Sequence, residues 1–241
     1  MKIILWSEFP EQVDFKKLKL NFPVIIYVAV RSKKEFLRYK KYKHLKFGAW
    51  PVLDKKDGYW FSGYTSPKNI DHLDQFEGLD FKIDLEYPLA KSKYKFLVNY
   101  LFKRPKHYKY LKNKIDKLSE KSNILINEMP LPKFLLKSTG VYYKGKVTKN
   151  IMFYSTIYGL WLRPLIKFYY GFLLKTEYQS CSIGLIGPGI FKTENFYENI
   201  NQFKKDLELV EGFDQICIYS LESILKRKDK EKWFKILKNI S

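Results

Sequence analysis

Only two cysteines occur in the 241 residues, Cys181 and Cys217, and both fall in apolar, strand-like runs. Neither a disulfide framework nor a thiolate metal site is expected from them, but small buried thiols in a reducing compartment are. The three histidines, His44, His72 and His107, lack HExxH or any close spacing, so no metal site and no cofactor are expected. There is no GxGxxG, no GxSxG and no Walker loop. Dinucleotide binding, serine-elbow hydrolysis and nucleotide hydrolysis lose their usual signatures.

Long uncharged apolar runs are missing too. The most apolar stretch, IYGLWLRPLIKFYYGFLLK (157–175), is broken by Arg163, Pro164, Lys167 and Gly171, whereas a spanning helix needs roughly 20 mostly uncharged residues. Core packing is the expectation for it, with the wall of a binding cleft or peripheral membrane contact as alternatives. The N-terminal run MKIILWSEFPEQ ends its apolar part at Ser7 and Glu8, too short for a signal-peptide core. A cytoplasmic location is expected.

What is abundant is lysine. The formal net charge is +20, and lysine outnumbers arginine by about eight to one. A basic surface attracts phosphates, but bidentate phosphate and base recognition favours arginine. A solvated lysine-rich exterior is therefore expected, and nucleic acid is not an expected partner. The most basic segment, residues 91–121, holds Arg104 as its only arginine. Its apolar positions Phe96, Leu97, Tyr100, Leu101, Tyr108, Leu111, Ile115 and Leu118 recur at helical spacing. This reads as a long basic helical insertion around 91–122, packed by one face.

Hydrophobic residues make up 46%, with Gly and Pro scattered, a globular composition. Along the chain, short β-rich runs alternate with longer amphipathic stretches. The predicted strands are Lys2 to Glu8, Pro23 to Val30, Phe47 to Asp54, Leu79 to Glu86, Asn123 to Glu128, Asn150 to Ser155, Cys181 to Gly187 and Phe213 to Ser220. Helices are predicted at Val13 to Leu20, Ser32 to Tyr42, Pro67 to Phe76, Lys91 to Lys121, Pro132 to Ser138, Leu160 to Thr176, Glu194 to Val210 and Asp229 to Asn239. Ser32 with Glu35 forms a capping box, and Ser66 precedes a first-turn Pro67. Eight βα units in 241 residues predict an α/β fold: a (β/α)₈ TIM barrel, one domain over 1–241.

Such a barrel builds its site at the C-terminal strand ends. Those ends supply Glu8, Asp54, Asp84 with Glu86, Glu128, Tyr154 and Glu222. Acids are depleted from strands and costly to bury, so six acids lining one pocket are expected. Each one could instead cap a helix. Asp84 and Glu86 are the sharpest pair, since alternation puts them on one face together with Lys82. Repulsion and partial burial would raise the pKa of one of them, as a general acid requires.

The run Lys82-Ile83-Asp84-Leu85-Glu86-Tyr87-Pro88 resembles the end of the fourth-strand signature of family 18 glycoside hydrolases, the chitinase-like barrels, written DxxDxDxE. The final DxE is kept, while Leu79 and Lys82 stand where the first two acids would be. The resemblance implies that Glu86 protonates the leaving oxygen and that Asp84 orients the substrate's acetamido group in substrate-assisted catalysis. It also implies a role beside that group for Tyr154. Glu8, Trp50, Asp54, Lys82, Glu128, Tyr154 and Glu222 are the candidate substrate-binding residues, and Tyr59, Trp60, Trp6 and Trp161 are further candidates for stacking on sugar.

The expected function is a glycoside hydrolase-like barrel acting on or binding a carbohydrate or glycoconjugate. Two alternatives stay open. Gly187-Pro188-Gly189 after the seventh strand can serve a phosphate-handling barrel of phosphodiesterase or aldolase type. Loss of the acids at Leu79 and Lys82 suits a non-catalytic barrel that binds carbohydrate, lipid or protein.

Overall fold

A computed structural model describes residues 1–88, 104–157, 162–173, 178–190, 192 and 194–241. Its eight strands close into one barrel in chain order, and every registered pair is parallel. The strands are β1 (Lys2–Ser7), β2 (Val24–Val30), β3 (Lys46–Pro51), β4 (Phe81–Leu85), β5 (Ile124–Glu128), β6 (Thr148–Phe153), β7 (Ser180–Ile183) and β8 (Gln215–Tyr219). Among the described residues the α-helices are α1 (Lys33–Leu37), α2 (Pro67–Asp71), α3 (Tyr108–Ser119), α4 (Lys133–Ser138), α5 (Arg163–Leu173), α6 (Ile200–Leu209), α7 (Leu221–Lys226) and α8 (Lys230–Ile240). The fold is the α/β barrel that the alternation predicts.

Local chemistry explains the helix starts. Ser32 Oγ accepts the Glu35 N–H at 3.1 Å, and Glu35 Oε2 accepts the Arg31 N–H at 2.7 Å. Ser66 caps α2 through the Asn69 N–H, with Pro67 at the first helical position.

Several segments differ from the sequence reading, among them the predicted helix Glu194 to Val210, which begins only at Ile200. Val13 to Leu20 forms no helix; a 3₁₀ turn at Pro10–Gln12 and bonds from the Lys17 and Leu18 N–H groups to the Asp14 carbonyl replace it. Val13 and Phe15 are both buried, and a helix would turn residues two apart to nearly opposite sides. Conversely, α7 lies beyond β8 where no helix was predicted. Of the predicted basic insertion, α3 is observed, while Phe96, Leu97, Tyr100 and Leu101 lie outside the described residues, as does Trp161.

The chain gathers into two compact units, residues 1–29, 39–47 and 150–241, and residues 30–38 and 48–149. In the first, the register sets Ile4, Trp6, Ile25, Tyr27, Asn150, Met152, Ser180, Ser182, Cys217 and Tyr219 on one face. The opposite face is outer, because its Phe153 stacks edge-on against Tyr170 of α5 at 4.3 Å. Cys181 falls on that outer face and Cys217 on the inner one, so these two free thiols point away from each other.

In the second unit, Trp50, Lys82, Asp84, Leu125 and Asn127 share the inner face, and Phe81, Ile83, Leu85, Ile124, Ile126 and Glu128 the outer. The buried side chains of α3, Leu111, Ile115 and Leu118, dock it as the periodicity predicts. Its lysines are partly used: Lys114 bridges Asp71 and Asp74 at 2.8 and 2.6 Å, and nearby Lys121 meets Glu77 at 2.7 Å. No helix among the described residues is long and apolar enough to cross a membrane.

Candidate active site

The site in the second unit is built on β4. Ala49 pairs with Phe81 and Asp84 with Asn127, so Trp50 stands beside Lys82 and Asn127 beside Asp84 on the inner face. Lys82 is fully buried. Its Nζ donates to Asp84 Oδ1 at 2.8 Å and sits 3.6 Å from the centre of the Trp50 ring, a cation held between a carboxylate and a π face. Asn127 Nδ2 donates to the same Oδ1 at 2.9 Å. Among the described residues Oδ2 of Asp84 takes no hydrogen bond. Two donors thus fix one oxygen of Asp84.

Glu86 lies one residue beyond the end of β4, yet the strand geometry reaches it. The chain returning from β3 lays Phe61 alongside: the Phe61 N–H donates to the Asp84 carbonyl and the Glu86 N–H to the Phe61 carbonyl, both at 3.2 Å. Residues 84 to 86 therefore stay extended, and Glu86 keeps the face of Asp84. It is half-buried, unlike the buried Asp84.

The other acids of this unit go elsewhere. Glu128 is on the outer face with Leu85, where Oε2 pairs with Lys149 at 2.8 Å and Oε1 accepts the Tyr143 N–H at 2.9 Å. It ties Tyr143 and Lys149 to β5. Asp54 is exposed, 3.3 Å from Arg31 Nε, and starts a 3₁₀ turn.

The first unit holds a second polar group. Tyr219 hydrogen-bonds Glu8 Oε2, and its ring lies edge-on to Trp6 at 6.3 Å and near Tyr154 at 6.0 Å. Gly189 passes close by: a Cβ there would fall 3.0 Å from Glu194 Oε1 and 3.1 Å from the Tyr219 hydroxyl. Glu222, by contrast, is buried in the first turn of α7. Its Oε1 accepts from Ser7 Oγ at 2.6 Å and the Phe9 N–H at 2.8 Å. Ser7 belongs to the outer face, so Glu222 fastens α7 to β1. Burial raises its pKa, against the opposing pull of the Ser7 hydrogen bond.

Sequence reading missed Asn127, Tyr219 and Glu194. Asn127 and Tyr219 are legible only through register, which brings them beside Asp84 and Trp6, and Glu194 stands where the sequence pattern predicts the start of a helix. Among the described residues no three His, Cys, Asp or Glu side chains gather as a metal set.

No family model matches the chain, and no curated protein does. Solved structures do. The glycoside hydrolase domain of PgaB (BpsB) from Bordetella bronchiseptica superposes with a TM-score of 0.61, covering 98% of each chain at 7% identity. A GH18 chitinase from Pseudoalteromonas aurantia gives 0.52, again over 98% of each chain, at 12% identity. The chain shares its barrel fold with both. At such identity the likeness is one of architecture, over the whole length.

Proposed function

We propose that the chain is a glycoside hydrolase-like barrel acting on a carbohydrate, with Glu86 as general acid and Asp84 as the orienting carboxylate. The observation that carries this reading is the one-sided grip on Asp84, whose Oδ1 is held by Lys82 and Asn127 while Oδ2 is left over, with Glu86 next on the same face. The fold neighbours, one a chitinase and one a glycoside hydrolase domain, point the same way.

The chemistry follows from those positions. Asp84 Oδ2 accepts the N–H of a substrate acetamido group and so turns the acetamido oxygen toward the anomeric carbon. That oxygen forms the new bond as the glycosidic C–O bond breaks, and the leaving oxygen departs with the Glu86 proton. Water then attacks the anomeric carbon, returns a proton to Glu86 and frees the acetamido oxygen. Lys82 and Asn127 act through Asp84, as positioning residues.

The phosphate-handling reading is less well supported. Gly189 sits against the Glu194 carboxylate, and Gly187 against Ser223, whose Oγ would lie 2.7 Å from an added Cβ. These glycines serve close packing, and an acid at the loop repels a phosphate. Fluorogenic glycosides and phosphodiesters assayed side by side, with binding to a carbohydrate array, test the proposal. Glycoside hydrolysis is the expected result. Phosphodiester cleavage alone would overturn the reading, and array binding without turnover of any glycoside would assign a non-catalytic binding barrel.

A further inference from the structure

Helix α5 has two faces of opposite character, both within the first unit. The inward face is fixed. Tyr170 is buried against Phe153 and donates from its hydroxyl to the Met152 carbonyl at 2.8 Å. Lys167 Nζ lies 2.8 Å from Asp206 Oδ1, and Asp206, buried on α6, also accepts from Ser155 Oγ and from the Tyr197 hydroxyl.

The outward face is apolar. Phe168 is 82% exposed and Leu165 66%, with Leu162 just ahead of the helix at 53%. Steps of three residues set these side chains along one stripe, and exposed Ile157 precedes it in the chain. Single exposed hydrophobic residues are ordinary, but a contiguous set marks a contact surface. Helix α3 has the usual division, with Leu111, Ile115 and Leu118 inward and Lys109 and Lys117 outward. In α5 the inward face carries the Lys167–Asp206 ion pair and the outward face the exposed Leu165 and Phe168.

We propose that this stripe docks on an anionic membrane surface. Charge selects the occupant: a second copy would bring another +20, which repels, whereas an anionic bilayer attracts lysine-rich protein. A bilayer interface also accepts Leu and Phe without a matching groove. The 11 described residues of α5 are too few to span, and its pinned inward face leaves them lying along the surface. The proposal uses no residue of the catalytic reading and stands apart from it.

Co-sedimentation with vesicles of phosphatidylcholine alone, and of phosphatidylcholine mixed with phosphatidylglycerol, tests the proposal. The wild type is expected to pellet with the anionic vesicles. Leu165→Gln with Phe168→Gln, both outward-facing, is expected to lower the partition coefficient about tenfold or more, with an unchanged melting curve. Phe168→Trp adds an independent readout, a larger blue-shifted emission component on anionic vesicles than the wild-type tryptophans give. Failure to bind anionic vesicles overturns the proposal. So does equal binding by wild type and the double glutamine variant, which would reduce the effect to charge alone. Self-association that the double variant abolishes, without vesicle binding, would assign the stripe to a second copy and also overturn it.

Discussion

Lys82 and Asp84, two residues apart on β4, form a buried ion pair of 2.8 Å capped by the Trp50 ring. Side-chain exposure is 0% and 3%, so neither charge can be answered by water. Removing Lys82 leaves the buried Asp84 carboxylate without its opposite charge, and breaking such a pair costs about 3–5 kcal/mol. Lys82→Met is therefore expected to destabilise the protein by that order, measured by urea unfolding. Adding Asp84→Leu should recover much of the loss. A cost for Lys82→Met of under about 1 kcal/mol would contradict the pairing.

Glu128 and Lys149 make a second pair, on the outer face of β5. Glu128 is fully buried, so Lys149→Met is expected to cost about 3–5 kcal/mol as well. Any glycoside turnover should remain at its wild-type rate at temperatures where the variant is folded. A fall in kcat without a fall in stability would instead place Glu128 in the site.

Glu222 gives a dependence on pH with a definite sign. Its folded pKa is raised above the ordinary value of 4.5 by burial. Between 4.5 and the raised value the unfolded chain has released the proton while the folded chain keeps it. The stability contribution is therefore full below about 4.5, is lost as pH rises toward the folded value, and is flat beyond it. Glu222→Gln keeps the neutral form at every pH. It is expected to raise the melting temperature relative to wild type at neutral pH and to leave a smaller difference near pH 4. A difference of constant size over that range would show that Glu222 does not titrate there.

The barrel was legible because strands covered on both faces read as unbroken Ile, Val, Leu and Phe runs, and because Ser32 and Ser66 mark helix starts. The segment Val13 to Leu20 was not legible, since its lysines mimic an amphipathic helix while Val13 and Phe15 need one buried side. Within the site, alternation alone put Lys82, Asp84 and Glu86 together, for a strand carries its own parity. What alternation cannot give is the register between strands. Glu128 ends β5 as Asp84 nearly ends β4, and only the pairing of Asp84 with Asn127 and Leu85 with Glu128 reveals that the two acids face opposite ways. Glu222 likewise sits near a strand end, but its contact is Ser7, on the outer side of β1.

In the proposed reaction Glu86 supplies the proton and Asp84 orients an acetamido group. The most direct measurement is turnover of a matched pair of glycosides, one acetamido and one hydroxyl at the same carbon, by wild type, Glu86→Gln and Asp84→Asn. Wild type is expected to prefer the acetamido substrate. Glu86→Gln should lower its kcat by roughly 10²-fold or more with an unchanged melting curve, because glutamine keeps the shape and loses the transferable proton. Asp84→Asn should erase most of the acetamido preference. Hydrolysis by wild type at a rate that both variants retain would contradict the account.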